Sequence, residues 1–405
     1  MVLQTKGMKK FEKQAITYTA ACHGLVHILE LTYGAVLISI AQEFGASLFA
    51  LGTLANIMGF AFGVMALPVG LLADRISERR LLMLCCLGMA VSSVAIGLSP
   101  SIQILRIALL VLGLSLGIYH PTGSAFIARV AANRGSAFGY IGVGGNIGLA
   151  LGPIIASAIA SILGWRASYL IFAVPAVFLA ARFFFFARIE VPFTEQSTTE
   201  VSTGKTALRP FILPLALIFC ASIMNGFIYR GTVTFLPLYL SERIHFSFLN
   251  LDNILAAGSF TSIAFAFGIG GQFLGGYLSE QRRRESLAVI TALATVPLLI
   301  AIGNGEGLAL MITAAAFAFF NFMGQPIYNS LLADYSPADW RGRLYGIYYF
   351  CTFGLGSFSA SILGYVAVKF GNSWIFFVAA GFGLITLLCT IFLWVRALKV
   401  SGRSS

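Results

Sequence analysis

Three ionisable residues, His23, His27 and Glu30, fall at i, i+4 and i+7 within the otherwise apolar stretch 15–40. That spacing puts all three on one face of a helix. A carboxylate and two imidazoles set in an apolar stretch are equipped to take up and release protons. One histidine alone would be read as an interhelical hydrogen bond; three titratable groups on one stripe point to proton handling. A second apolar stretch, 211–239, carries Asn225, Tyr229 and Arg230. Arg230 lies about 15 Å along a helix from Leu240 at 1.5 Å per residue, too deep for its guanidinium to reach an aqueous boundary. It reads either as an anion-binding group facing a central cavity or as the ion-pair partner of Glu30. Tyr119 and His120 precede Pro121 in a third stretch, and Asn321, Gln325, Tyr328 and Asn329 surround Pro326 in a fourth. With Asn56, Asn146 and Gln272, these residues are expected either to line a binding cavity for a small-molecule substrate or to join helices by hydrogen bonds.

The elements that carry these groups follow from composition. Of 405 residues, 58% are hydrophobic and 10% charged, where soluble domains have roughly 45–50% and about 25%. The solvent for most of the chain is therefore lipid, and a spanning helix takes about 20 apolar residues. Twelve spans are expected, at 15–40, 48–72, 81–98, 104–127, 136–160, 166–187, 211–239, 253–278, 286–303, 308–332, 343–366 and 372–396. The fold class is an all-α polytopic membrane protein; the long, unbroken apolar runs exclude the short alternating segments of a β-barrel. The polar stretch 188–210 divides the chain into an N-terminal six-helix half, 1–187, a cytoplasmic linker, and a C-terminal six-helix half, 211–405.

The net charge of +11 does not point to nucleic acid, because the basic residues sit in short clusters between apolar runs. With the N-terminus inside, 21 of the 26 Lys and Arg fall on the cytoplasmic side. By the positive-inside rule both termini are cytoplasmic, in a plasma membrane, with the bacterial inner membrane expected. The halves repeat each other. Gly70, Asp74, Arg75, Arg79 and Arg80 return as Gly276, Glu280 and Arg282 to Arg284 (276 − 70 = 206), and Arg134-Gly135 returns as Arg341-Gly342 (341 − 134 = 207). Two independent motifs at nearly one offset indicate duplication, and paired halves place a substrate site between them near the bilayer midplane.

The loop Gly70, Asp74, Arg75, Arg79, Arg80 resembles the signature between helices two and three of the major facilitator superfamily, with Ser77 where that signature usually has glycine. The resemblance implies that this loop, with Glu280 in the repeat, latches the halves in the outward-open state. Gly148, Gly152 and Pro153 resemble the glycine-proline motif of antiporters and exporters, although the same spacing also serves plain helix packing. A narrower likeness, to the fosmidomycin-resistance-like branch, rests on His23, Gly117 to Pro121, and Gly144-Gly145-Asn146. It implies proton-linked export of a drug or anionic metabolite, although this chain has His27 where that branch commonly has an acid.

The expected function is a secondary active transporter, a proton-coupled antiporter working by alternating access. An organic-anion importer or exchanger built on Arg230 is the alternative, and a non-transporting receptor a third reading. The chain shows no nucleotide-binding loop, zinc motif or acyl-transfer motif; no enzymatic activity, cofactor or metal is expected, and superfamily members commonly work as monomers. The six cysteines lack metal-ligand spacing. The Cys85–Cys86 pair reads as filler facing lipid or a neighbouring helix, and Phe183 to Phe186 as lipid contact.

Overall fold

The computed structural model describes residues 2–72, 76–131, 134–185, 209–244, 252–337 and 340–401. Asp74, Arg75 and residues 186–208, which hold most of the linker 188–210, lie outside the described residues. The described chain is helical throughout: α1 (Val2–Ala35), α2 (Leu37–Phe44), α3 (Leu48–Leu72), α4 (Glu78–Gly97), α5 (Ile102–Gly117), α6 (Tyr119–Val130), α7 (Arg134–Leu163), α8 (Trp165–Phe185), α9 (Ile212–Arg243), α10 (Asn253–Gln281), α11 (Arg284–Asn304), α12 (Gly307–Tyr335), α13 (Arg341–Tyr349), α14 (Phe358–Phe370) and α15 (Ser373–Ser401). Among the described residues, eleven helical stretches are long and apolar enough to cross a membrane, and a bent pair, Phe11–Ala35 with Leu37–Phe44, makes a twelfth. The spans therefore stand where the apolar runs place them, six before and six after the linker.

Three spans are broken. The first bends by 47° at Val36. In the fourth, Pro121 cannot donate to the carbonyl four residues back, so the helix is interrupted at Ile118 and restarts as α6. In the eleventh, a π-helical turn over Phe350–Gly354 and a 3-10 turn over Leu355–Ser357 join α13 to α14. Gly354 and Gly356 sit in that junction, and a Cβ on Gly356 would stand 2.7 Å from the Cα of Gly226 in α9. The irregular backbone is tolerated because it is packed inside the bundle rather than against lipid. The outward faces are apolar, with Leu87, Val91, Val174, Phe178, Leu388 and Phe392 among the exposed side chains.

Small residues set where the first six spans meet the last six. Gly34 of α1 abuts the backbone of Val233 in α9, Gly52 of α3 abuts Ala360 in α14, Gly364 of α14 abuts Leu48 in α3, and Gly258 of α10 abuts Pro153 and Ser157 in α7. The Ile154 N–H donates to Ser262 Oγ across the last contact, at 2.9 Å. All four lie toward the ends of their helices farther from the clusters Arg79-Arg80 and Arg282 to Arg284. At this end the halves touch backbone to backbone, which is what glycine permits.

A side chain at Gly258 has no room in this arrangement. Gly258→Val is expected to force the halves apart at that end. A cysteine substituted at buried Thr234, with the native cysteines replaced, should then react several-fold faster with a membrane-impermeant thiol reagent. An unchanged rate would mean that the α7–α10 contact does not seal the bundle.

Candidate functional site

Between the halves, toward the basic-loop end, lies a cavity of about 210 Å³. Its wall takes His23 and His27 from α1, His120 from α6 and Asn146 from α7. Asn225 and Tyr229 come from α9, Gln272 from α10, and Asn321, Gln325, Tyr328 and Asn329 from α12. Tyr348, Tyr349, Thr352 and Phe353 complete it from the broken eleventh span. The titratable wall residues are histidines and tyrosines, and none is a carboxylate. The amides are partly satisfied by each other, with Gln272 Nε2 donating to Gln325 Oε1 at 3.2 Å.

Behind this wall the charges are concentrated in one chain of contacts. His23 Nδ1 bonds the carbonyl oxygen of Ile141 at 2.9 Å, and His23 Nε2 lies 3.2 Å from His27 Nε2. His27 Nδ1 bonds Glu30 Oε2 at 3.1 Å, and Arg230 Nη2 donates to Glu30 Oε1 at 3.1 Å. Glu30 and Arg230 are each only 2% exposed. The pair joins α1 to α9, so it spans the two halves. Both readings of Arg230 had a physical basis; the structure places it against Glu30, off the cavity wall.

Local sequence explains how each group is held. Gly145 leaves room for the His23 imidazole, and Gly144, Gly148 and Gly152 seat α1 along α7. The glycine-proline stretch of α7 therefore packs against α1, the small-residue packing that its spacing allows. The Tyr119 ring stacks on His23 at 4.9 Å, and its hydroxyl donates to the Thr19 carbonyl at 2.9 Å. Tyr119 thus positions His23 and does not line the cavity. Gly59 of α3 admits the guanidinium: a Cβ there would stand 2.9 Å from Arg230 Nε. Asn56, one turn earlier, accepts a hydrogen bond from Ser357 at 2.8 Å.

Other expected residues fall elsewhere. Arg79 and Arg80 lie in the first turn of α4, Gly70 near the end of α3, and Glu280 is exposed near the end of α10. Near Arg79 is a contact that the motif reading missed: buried Glu78 pairs with Arg129 at 2.6 Å, tying α4 to α6. The Cys85–Cys86 pair does not face lipid; Cys22, Cys85 and Cys86 are fully buried, with Cys22 Sγ 3.5 Å from Cys86 Sγ. The aromatic wall from Tyr348 to Phe353 was also missed. Nothing in a run of aromatic residues marks which ones a π-helical turn will rotate inward.

Spanning helices in two sets around a polar cavity, closed at one end by backbone contact, are the architecture of a membrane transporter. The model of the Major Facilitator Superfamily matches residues 19–361, and the chain belongs to that family. It is 24% identical to a putative metabolite transport protein of Haemophilus influenzae, covering 96% of this chain and 97% of that one. It is 25% identical to a probable L-galactonate transporter of Escherichia coli over 62% of this chain and 58% of the relative. It is also 29% identical to the multidrug resistance protein MdtG of Proteus mirabilis, over 52% of this chain and 50% of the relative. In fold it matches a bacterial homolog of the human lysosomal transporter Spinster in an inward-facing conformation. There the TM-score is 0.79 at 18% identity, covering 96% of this chain and 98% of that one.

Removing one partner of a buried ion pair leaves an uncompensated charge, which costs about 3–5 kcal/mol, whereas removing both is far less costly. Arg230→Met is therefore expected to lower the thermal unfolding midpoint markedly. The double variant Glu30→Gln, Arg230→Met should recover most of the loss. A double-variant loss equal to the sum of the Arg230→Met and Glu30→Gln losses would show that the pair is not energetically coupled.

Proposed function

We propose that the chain is a secondary active transporter of the bacterial inner membrane, with both termini cytoplasmic, that moves a small organic anion coupled to protons. The observation that carries this reading is the Glu30–Arg230 pair, which joins the two halves directly behind a cavity whose wall has no carboxylate. A wall of amides, tyrosines and neutral imidazoles offers hydrogen bonds to an anionic solute and, among the described residues, no carboxylate as counterion for a cationic one. The cavity volume suits a small metabolite. On this topology the cavity lies on the cytoplasmic side and the glycine contacts close the outer side. The conserved-offset halves, 1–187 and 211–405, would then rock about the α1–α9 contact.

The sign of coupling follows from charge. An anion that draws Arg230 toward the cavity takes the cation away from Glu30, and a carboxylate left unpaired in the interior is tolerated as its neutral acid. Anion and proton then enter the site together, which is cotransport. Proton-coupled antiport with export is the second reading. It is favoured by the resemblance of Gly148, Gly152 and Pro153 to the exporter motif, by the likeness to the fosmidomycin-resistance-like branch, and by relatives named for multidrug resistance.

In vesicles with a trapped pH indicator, an inward gradient of a small carboxylate or sulfonate is expected to acidify the lumen. Glu30→Gln should reduce this proton movement at least tenfold while leaving counterflow of the same anion measurable. Lumenal alkalinisation on solute entry would establish antiport instead, and anion flux without proton movement would remove the coupling role of Glu30.

A further inference from the structure

The hydrogen bonds of His23 and His27 account for both Nδ1 atoms. His23 Nδ1 faces a backbone carbonyl, which only accepts, so that nitrogen carries the proton. His27 Nδ1 faces Glu30, which is paired with Arg230 and so is a carboxylate; this nitrogen donates as well. Each neutral ring then has its lone pair on Nε2, and the two Nε2 atoms point at each other across 3.2 Å. Two lone pairs at that distance repel unless a proton or a metal ion stands between them.

The spacing is that of a metal site. Zinc–imidazole bonds of 2.0–2.1 Å at a tetrahedral angle put neighbouring nitrogens about 3.3 Å apart. A third imidazole is in place: the ligand nitrogens of His23, His27 and His120 all lie within 4.8 Å of one another. The Nε2 of His120 is buried and makes no hydrogen bond among the described residues. His120 packs between Phe353 and the two other histidines, and a shared ion requires its ring to turn toward them. The outer contacts are those that metal-bound histidines use. A carboxylate behind His27 and a carbonyl behind His23 fix both tautomers and raise ligand basicity. The cavity supplies the open fourth position.

We propose that His23, His27 and His120 form a binding site for a divalent transition-metal ion of the zinc class on the cavity wall, with Glu30 and the Ile141 carbonyl as its supporting contacts. Three neutral imidazoles select zinc, nickel, cobalt or copper over magnesium and calcium, which take oxygen ligands. This site does not depend on the direction or ion of transport, and its test reads metal rather than flux.

The full chain, purified with its affinity tag removed, would be titrated with Zn²⁺ by calorimetry and with Co²⁺ by visible absorption. A single tight equivalent of Zn²⁺, and Co²⁺ bands of tetrahedral intensity, are expected, with no response to Mg²⁺. Glu30→Gln should weaken Zn²⁺ binding by about 10–100-fold through loss of the supporting carboxylate. His120→Ala, which breaks no hydrogen bond, should fold as the wild type does and lose the tight equivalent. The proposal is overturned if wild-type protein binds no tight equivalent, or if His23→Ala and His120→Ala bind it unchanged.

Discussion

A carboxylate and a guanidinium that are each 2% exposed inside a lipid-embedded bundle constrain everything around them. Either charge alone would cost several kcal/mol in that setting, so α1 and α9 must keep Glu30 and Arg230 within bonding distance whenever both are charged. The neighbouring sequence serves that requirement. Gly59 withholds a side chain where the guanidinium sits, and His27 fills the second carboxylate oxygen. The pair also fixes the relation between the halves, because one partner belongs to each.

The remaining contact between the halves is built differently at its two ends. Away from the basic loops, Gly34, Gly52, Gly258 and Gly364 let backbones meet, and the attraction is mostly dispersion over closely fitted surfaces. Toward the basic loops, the facing positions are Asn, Gln, Tyr and His, which bond to a solute or to each other with similar ease. Van der Waals contact without interlocking charges can be parted and remade at modest cost. A wall of amides can be covered or uncovered without stranding a charge. The difference between the ends is thus that between a close-packed seam and a polar cavity wall, and the buried pair lies where one gives way to the other.

Much of this was legible in the sequence. The spans are continuous apolar runs, and their ends follow from charges and turns, so twelve elements could be placed within a few residues. The stripe His23, His27, Glu30 followed from helical period alone, and the depth of Arg230 limited it to two roles. What period cannot supply is the rotation of one helix against another. That His120 meets His23 and His27, that Tyr119 stacks beneath His23 instead of facing the cavity, and that Cys85 and Cys86 turn toward Cys22 all depend on how α4, α6 and α7 pack on α1. The π-helical turn at Phe350–Gly354 was equally hidden: Gly354 and Gly356 weaken the helix locally, but their close packing on α3 and α9 is a tertiary contact.

The duplication makes the asymmetry of the interior informative. At the offset that relates Arg134 to Arg341, His23 corresponds to Arg230 (230 − 23 = 207), while the counterparts of His27 and Glu30 are Thr234 and Pro237. The titratable stripe therefore exists only in the first half, and the second half contributes one permanent cation at the matching depth. Arginine cannot give up its proton in a protein, so it is a fixed charge opposite the titratable groups of the other half. With histidine at one position and arginine at its mate, Glu30, about two turns beyond His23, meets the arginine and ties the halves together.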